Sequence, residues 1–382
     1  MQQTIRVAML THNYYPLVGG SERQLMSLLP LLAERQIESI IVTRHYEGFS
    51  RYEDVNQVPV FRLPAKKPLA SAMYTANSVG LLMKQKNIDV LHAYSLFSPL
   101  TTGVLAKQLL KKPIVVKVLR GGVAGDLYRM QRKRLGKTRL RWFRNAVDRF
   151  ICISSEIDAE LDAIGVPAEK RVFIPNGVDV ERFRPPSPDE KRKARLDLNL
   201  PENAPIAVFT GRLVPEKKVD SAIRIWPEIR AQFSEATLLI VGDGEMRARW
   251  ESLAGEGVVF AGSVEDVTAY LAAADIFVLP SATEGLSNAL LEAMATGLAC
   301  VVTNVGGASD VITDGVNGRL VDPNEPTALY NTLQALLANK DNIAQLSEGG
   351  LQKILSDYRL TVTADRLRAL YEQVLNQKSS NS

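Results

Sequence analysis

The sequence predicts an α/β protein made of two Rossmann-like, doubly wound parallel-sheet domains facing across a cleft. Three observations carry that prediction. Short apolar runs alternate with stretches of helical periodicity along all 382 residues. The chain is long enough for two domains at ~100–200 residues each. A stretch rich in turn formers, Pro175-Asn176-Gly177-Val178-Asp179 through Pro185-Pro186-Ser187-Pro188, divides the alternation into two halves.

In the first half, Ile5–Thr11 reads as a strand, and Ser21–Glu34 as a helix with Leu25, Leu28, Leu29 and Leu32 on one face. Strands follow at Ser39–Thr43 and Val58–Leu63. A helix covering Leu81 and Leu82 leads to a strand at Asp89–His92. Ile114–Leu119, Arg149–Ile153 and Val172–Ile174 complete the half. The second half repeats the rhythm, with strands at Ile206–Thr210, Leu238–Val241, Val258–Phe260, Ile276–Leu279, Cys300–Thr303 and Arg319–Val321. Helices at Ala328–Leu337, Ile343–Ile354 and Thr363–Leu375 close the chain. Strand–helix alternation of this kind builds parallel sheets with right-handed crossovers, and ligands bind outside the carboxyl ends of the strands. The expected divisions are 1–178, 179–357, a C-terminal helix over 358–376 that returns to the first domain, and a disordered tail over 377–382.

Composition narrows the classes. Hydrophobic residues make up 46% and charged residues 23%, which is ordinary for a globular protein. Cys152 and Cys300 sit in apolar runs and make no disulfide framework, so a reducing compartment fits. Three histidines and no Cys/His cluster leave no metal-ligand spacing. No run suits a signal peptide or a membrane span. The expected location is the cytoplasm, with a peripheral station on the inner face of the cytoplasmic membrane. The net charge of +4 conceals an asymmetry. Residues 1–180 hold 26 Lys and Arg against 15 Asp and Glu, and residues 181–382 hold 20 against 27. A basic half suggests something anionic on its side.

Six stretches carry chemistry. After the first strand, His12-Asn13-Tyr14-Tyr15-Pro16-Leu17-Val18-Gly19-Gly20-Ser21-Glu22 places a glycine pair before a helix that Ser21 is suited to cap. Phe209-Thr210-Gly211-Arg212-Leu213-Val214-Pro215-Glu216-Lys217 puts Arg212 and Lys217 at a strand's carboxyl end. There a guanidinium fork and an ammonium suit a diphosphate, or are simply solvated charges. Val241-Gly242-Asp243-Gly244-Glu245 is a glycine turn. Neither glycine turn completes G-x-G-x-x-G, which counts against a dinucleotide-dependent oxidoreductase. In Ser281–Ala295, Glu284 lies in a loop and Glu292 lies one to two turns into a helix. The helix start between them favours an anion, with carboxylates for neutral hydroxyls on either side. Val305-Gly306-Gly307 and Asp314-Gly315-Val316-Asn317-Gly318 follow.

In this order, together with Ile174-Pro175-Asn176-Gly177-Val178-Asp179, these motifs resemble the retaining nucleotide-sugar glycosyltransferases of the GT-B fold, glycosyltransferase family 4 or group 1. The resemblance covers nearly the whole chain. It implies an acceptor-side first domain and a donor-binding second domain. It implies that Arg212 and Lys217 bind the donor diphosphate and stabilise the leaving charge, and that Glu284 contacts the transferred sugar. By the same resemblance Glu292 accepts from the ribose hydroxyls. Backbone around Gly285, Leu286, Ser287 and Asn288 cradles the sugar, Gly19 and Gly20 approach the donor phosphate, and the loop at Gly262–Val264 rims the nucleobase. No metal and no cofactor are implied beyond the nucleotide diphosphate sugar itself. The expected acceptor is a glycan or a lipid-linked sugar in bacterial surface polysaccharide or lipopolysaccharide synthesis. The rival of a different class is a non-catalytic, membrane-associated nucleotide-sugar-binding protein, against which Arg212, Lys217, Glu284 and Glu292 speak.

One departure is plain. Val118-Leu119-Arg120-Gly121-Gly122 has Arg120 where many relatives carry histidine. Arg120 either contacts an anionic group or lines the cleft. His92 ends a strand and either faces the cleft or is a satisfied structural histidine, while His12 reaches the site through its loop. Residues 129–149 hold nine basic residues and one acidic, with Trp142 and Phe143 among them. They read as a cationic helix on an anionic membrane surface, or as a solvated face with its aromatics packed inward. No motif accompanies the charge that would suit nucleic acid.

Overall fold

The computed structural model describes residues 3–17, 19–66, 68–85, 87–122 and 125–380, with side chains to 377. Val18 of the first glycine motif and residues 381–382 of the expected tail lie outside the described residues. The chain forms two compact units, residues 1–176 with 360–382, and residues 177–359. It passes from one to the other at 176/177 and back at 359/360.

The first unit runs β1 (Ile5–Leu10), α1 (Gly20–Glu34), β2 (Ile37–Arg44), β3 (Tyr52–Val55), β4 (Val58–Leu63), α2 (Ala70–Lys84), β5 (Val90–Tyr94), α3 (Ser98–Leu110), β6 (Ile114–Lys117), α4 (Asp126–Gln131), α5 (Gly136–Ala146), β7 (Arg149–Cys152), α6 (Ser155–Ala163) and β8 (Arg171–Phe173). Its eight-stranded sheet has the order β3-β4-β2-β1-β5-β6-β7-β8. All described pairings are parallel except β3 with β4. That antiparallel edge is a hairpin turned by Asn56 and Gln57, both left-handed at φ 52 and 66. The sequence reading missed it because Tyr52-Glu53-Asp54-Val55 is short and half acidic, which is how an exposed edge is kept from pairing further.

The second unit runs α7 (Pro188–Asp197), β9 (Ile206–Thr210), α8 (Val219–Gln232), β10 (Thr237–Val241), α9 (Arg247–Glu251), β11 (Val258–Gly262), α10 (Thr268–Ala273), β12 (Ile276–Leu279), α11 (Asn288–Ala295), β13 (Ala299–Thr303), α12 (Ala308–Val311), β14 (Arg319–Val321), α13 (Ala328–Leu337) and α14 (Lys340–Asp357). Its sheet order is β11-β10-β9-β12-β13-β14, parallel throughout. β9, β10, β12 and β13 are buried at every residue, which is why they read as unbroken apolar runs. Strand order reverses between β9 and β12 here, and between β1 and β5 in the first unit. Parallel sheets bind ligands at such switch points.

The last helix, α15 (Leu360–Ser380), belongs to the first unit. Leu360, Ala364, Leu367, Leu370, Tyr371 and Val374 are buried with Leu25, Leu28 and Leu32 of α1 in one core. The spacing is the three-and-four repeat of a helix with one apolar face. Arg368 fastens it by donating to the carbonyls of Gln3 and Arg35 at 3.0 and 2.8 Å. The helix continues through Gln377–Ser380, where the sequence suggested a disordered tail, because extending an existing helix costs far less than starting one. Among the described residues no helix is long and apolar enough to cross a membrane.

Candidate active site

In the second unit, three loops meet at the switch point. The loop after β9 carries Arg212 and, in a short 3-10 turn at Pro215–Lys217, Lys217. The loop after β12 carries Ser281 and Glu284. The loop after β13 carries Gly306 and Gly307. Backbone bonds tie them together: Ala282 N–H donates to Glu216 O at 2.8 Å, and Gly307 N–H donates to Gly285 O at 2.6 Å. Glycine is required where they touch. Gly306 is left-handed at φ 60, and a Cβ there would lie 2.6 Å from Glu284 O. At Gly242, φ 144, a Cβ would run into the carbonyl of Gly211. Gly242 N–H donates to Gly262 O at 2.8 Å, which joins the turn after β10 to the loop holding Val264.

The centre of the site is an ion pair. Lys217 Nζ donates to Glu284 Oε1 at 2.6 Å, and Ser281 Oγ donates to the same oxygen at 2.6 Å. The two charged side chains are 17% and 15% exposed, enough to reach solvent and too little to be freely solvated. Arg212 is exposed and, among the described residues, sits in no ion pair. Next to them α11 begins. Ser287 is its N-cap, accepting from Leu290 N–H at 3.3 Å, and Leu290, Leu291, Ala293 and Met294 seat it in the core. Glu292 is half-buried in the second turn of this helix. The site thus presents a free guanidinium, a paired ammonium, a helix N-terminus and two carboxylates. The first three suit an oxyanion and the carboxylates suit hydroxyls.

The structure brings Arg212, Lys217, Glu284, Gly285, Leu286, Ser287, Asn288 and Glu292 onto the adjoining β9 and β12 loops and the start of α11. The sequence reading missed the Lys217–Glu284 pair, which joins residues 67 apart. It also missed Ser281. Its spacing gave no clear signal, since a serine three before a glutamate reads as a capping pair whose side chains bond backbone N–H groups and not each other.

In the first unit, Gly19 is the N-cap of α1, not Ser21. Glu22 reaches back to accept from Gly19 N–H at 2.9 Å, so its carboxylate already occupies one donor of this helix start. Ser21 lies inside the first turn because Gly19 and Glu22, three apart, close the cap between themselves. His12 Nε2 bonds Ser98 Oγ at 2.8 Å across the switch point between β1 and β5. Burial, then the nearby charges of Arg44 and Lys133, push the His12 imidazole down to about 3. It is neutral at physiological pH and cannot act as a cationic phosphate ligand.

His92 is removed from the solvent-facing candidates. It is fully buried, its Nδ1 bonds Tyr371 Oη at 2.7 Å, and its ring stacks on Tyr94 at 4.6 Å. Burial, then Lys117, lowers it to about 3. The reason is the helix above it: α15 covers the face of β5 that His92 occupies. Lys117, also buried, donates to Asn176 Oδ1 at 2.8 Å, which ties β6 to the end of the first unit's chain. Arg120 is half-buried in the loop after β6. Its carbonyl accepts from Asp126 N–H at 3.1 Å, and its charge helps hold down the acidity shift that burial imposes on Asp126. The basic stretch is not one helix. Left-handed Leu135, φ 63, separates α4 from α5, and Arg149 begins β7. Phe143 is buried and Trp142 half-buried, whereas Arg129, Arg132, Lys133, Arg134, Lys137 and Arg141 are exposed.

Known proteins resemble the chain over most of its length. Residues 18–182 match the family described as Glycosyltransferase Family 4, and residues 204–339 match Glycosyl transferases group 1. An uncharacterized glycosyltransferase of Methanocaldococcus jannaschii is 30% identical over 345 residues, 85% of this chain and 87% of the relative. The UDP-Gal:alpha-D-GlcNAc-diphosphoundecaprenol alpha-1,3-galactosyltransferase of Escherichia coli is 27% identical over 378 residues, 95% of this chain and 96% of that one. Among solved structures, the sucrose-phosphate synthase of Thermosynechococcus elongatus superposes with a TM-score of 0.83 at 22% identity, covering 98% of this chain and all of its own. The two parallel-sheet units are those of the GT-B fold.

Proposed function

The chain belongs to the family 4, group 1 glycosyltransferases, and on that premise we propose that it moves a sugar from a nucleotide diphosphate sugar to a glycan or lipid-linked acceptor with retention of configuration. The observation that carries this reading is the second unit's switch point, where exposed Arg212 and the Lys217–Glu284 pair flank the start of α11. The donor diphosphate takes Arg212 and Lys217. The sugar lies at Glu284, and the ribose hydroxyls donate to Glu292. The nucleobase lies along the loop at Val264. The acceptor is held by the first unit. The Escherichia coli relative, named for a diphosphoundecaprenol-linked acceptor, supports a sugar-diphosphate lipid as the acceptor class, and a lipopolysaccharide core biosynthesis glycosyltransferase of Rhizobium meliloti supports surface glycan synthesis as the setting.

The chemistry follows from charge. The bond from the anomeric carbon to the diphosphate oxygen breaks, a bond to the acceptor oxygen forms on the same face, and the acceptor's proton passes to the leaving diphosphate. Negative charge grows on the diphosphate, and Arg212 and Lys217 stabilise it, the task a divalent cation performs elsewhere. Lys217 and Ser281 both donate to Glu284 Oε1, which fixes the carboxylate in place. It orients the sugar and supports the positive charge that develops on the ring. The exposed cations of α4 and α5 bring the protein to an anionic membrane surface. The test is release of nucleoside diphosphate from a panel of nucleotide sugars with a lipid-linked or glycan acceptor, with the product anomer read by NMR. Transfer with the donor's anomeric configuration is expected. Inversion, or no release with any donor, refutes the proposal.

A further inference from the structure

The first unit has an open groove of about 610 Å³ between α2 and α3, with α5 at one side. Its lining has a direction. On α3, Ser98, Thr101, Leu105 and Leu109 form one stripe at helical spacing, and on α2 the facing stripe runs from Ser71 through Thr75 to Val79. The residues on α2 are small, and this is what leaves the space open. Both helices start at the carboxyl edge of the sheet. The groove therefore begins polar at the switch point, with Ser71 and Ser98, and becomes wholly apolar about 16 Å away at Leu109, taking ~1.5 Å per helical residue. Leu109 is 58% exposed, an apolar side chain left open to water at the groove's far end.

The polar end is cationic. Lys133 and Arg139 line it, and Arg129 and Lys133 both lie over the ring of Phe97, at 5.7 and 4.5 Å from its centroid. Arg44 donates to Ser98 Oγ at 2.9 Å and keeps a buried Nε–H with no partner. Among the described residues Arg44, Lys133 and Arg139 have no carboxylate partner, while the charge of Arg129 acts on the Asp126 carboxylate. Such a cluster calls for more than one negative charge on its ligand. An apolar groove ending in several cations matches a hydrocarbon chain ending in a diphosphate better than the single phosphate of a glycerolipid. We propose that this groove binds the first isoprenoid units of a polyprenyl diphosphate-linked acceptor, its diphosphate held by Lys133 and Arg139 beside Ser98. The inference rests on the acceptor-side reading above and adds to it a site, a direction and a lipid class. The chain enters at the switch point and leaves past exposed Leu109, which meets the membrane from which the lipid comes.

The test is calorimetric titration of the full-length protein with farnesyl diphosphate below its micellar concentration, against inorganic diphosphate and dodecyl phosphate. Farnesyl diphosphate is expected to bind at least tenfold tighter than either control. Ala76→Phe, a change at an exposed groove residue, should weaken it at least tenfold, and Lys133→Glu several-fold. Wild-type affinity in Ala76→Phe, equal binding of inorganic diphosphate and farnesyl diphosphate to Arg212→Ala, in which the donor diphosphate site is removed, or equal binding of dodecyl phosphate each overturns the assignment. Thermal shift by nucleoside diphosphates in the same samples reports the second unit separately. A nucleotide shift without farnesyl binding overturns the groove and leaves the donor reading standing. Farnesyl binding without a nucleotide shift does the reverse.

Discussion

Lys217 and Glu284 form a pair whose loss should be felt twice, once in stability and once in rate, and a double variant separates the two. Lys217→Met leaves the Glu284 carboxylate, 15% exposed, with Ser281 on the oxygen they shared. Breaking a fully buried pair by removing one partner costs about 3–5 kcal/mol. Partial solvent access and the retained hydroxyl bring the expectation here to ~1–3 kcal/mol. In the transition state the missing ammonium costs a further factor of ~10²–10³, the usual loss for one well-placed electrostatic contact. Lys217→Met with Glu284→Gln removes both charges, so no carboxylate is left unpaired. Most of the stability should return and none of the rate. The assay is chemical denaturation alongside nucleoside diphosphate release under donor saturation. Turnover of Lys217→Met within about threefold of wild type refutes the role given to Lys217. Recovery of rate in the double variant refutes it differently, by showing that only the fold needed the pair.

Arg212→Ala should leave the melting curve in place, within about 0.5 kcal/mol as for an exposed side chain with no ion pair, while turnover falls ~10²–10³-fold. A comparable loss of stability would mean that Arg212 is structural. Glu292→Gln should raise KM for the donor roughly tenfold with kcat little changed, because a ribose contact is made equally in ground and transition states. A kcat effect alone would move Glu292 to the reacting sugar. His92 is lowered to about 3 from an ordinary value near 6.5, so the unfolded chain binds its proton more tightly. Its contribution to stability is full above pH 6.5 and is lost as pH falls toward 3. Each pH unit in that window carries up to ~1.4 kcal/mol. His92→Asn should reduce the slope of the stability profile between pH 4 and 6.5, leaving the share of His12, which is lowered likewise, and an unchanged slope would show that His92 does not titrate on unfolding.

The strands were legible because the second sheet is parallel and covered, so β9, β10, β12 and β13 are apolar at nearly every position, and the first sheet is parallel but for one edge pair. The edge strand β3 was hidden by its acidic pair, and its hairpin by turn residues that are not the common Asn-Gly. The site was legible as a list but not as an arrangement. Arg212, Lys217, Glu284 and Glu292 stand out by type and by position after strands. That Lys217 and Glu284 bond each other depends on β9 and β12 being neighbours, which is topology and not spacing. The apolar groove left less trace in the sequence. Its lining alternates Ser, Thr, Ala and Leu, which reads as ordinary amphipathic helix. His92 read either as a cleft residue or as a satisfied structural histidine, because a polar residue at a strand end can be both. It is the second, because α15, far away in sequence, closes over it.

The account rests most heavily on a diphosphate at Arg212 and Lys217. The direct measurement is the thermal shift of the wild-type protein and Arg212→Ala with matched nucleoside mono- and diphosphates. A ligand at a hundred times its Kd stabilises the folded state by ~2.7 kcal/mol. For at least one base, the diphosphate should raise the wild-type melting temperature well beyond the monophosphate, and that difference should vanish in Arg212→Ala. Equal shifts from mono- and diphosphates in the wild type, or a diphosphate shift that survives in Arg212→Ala, would contradict it.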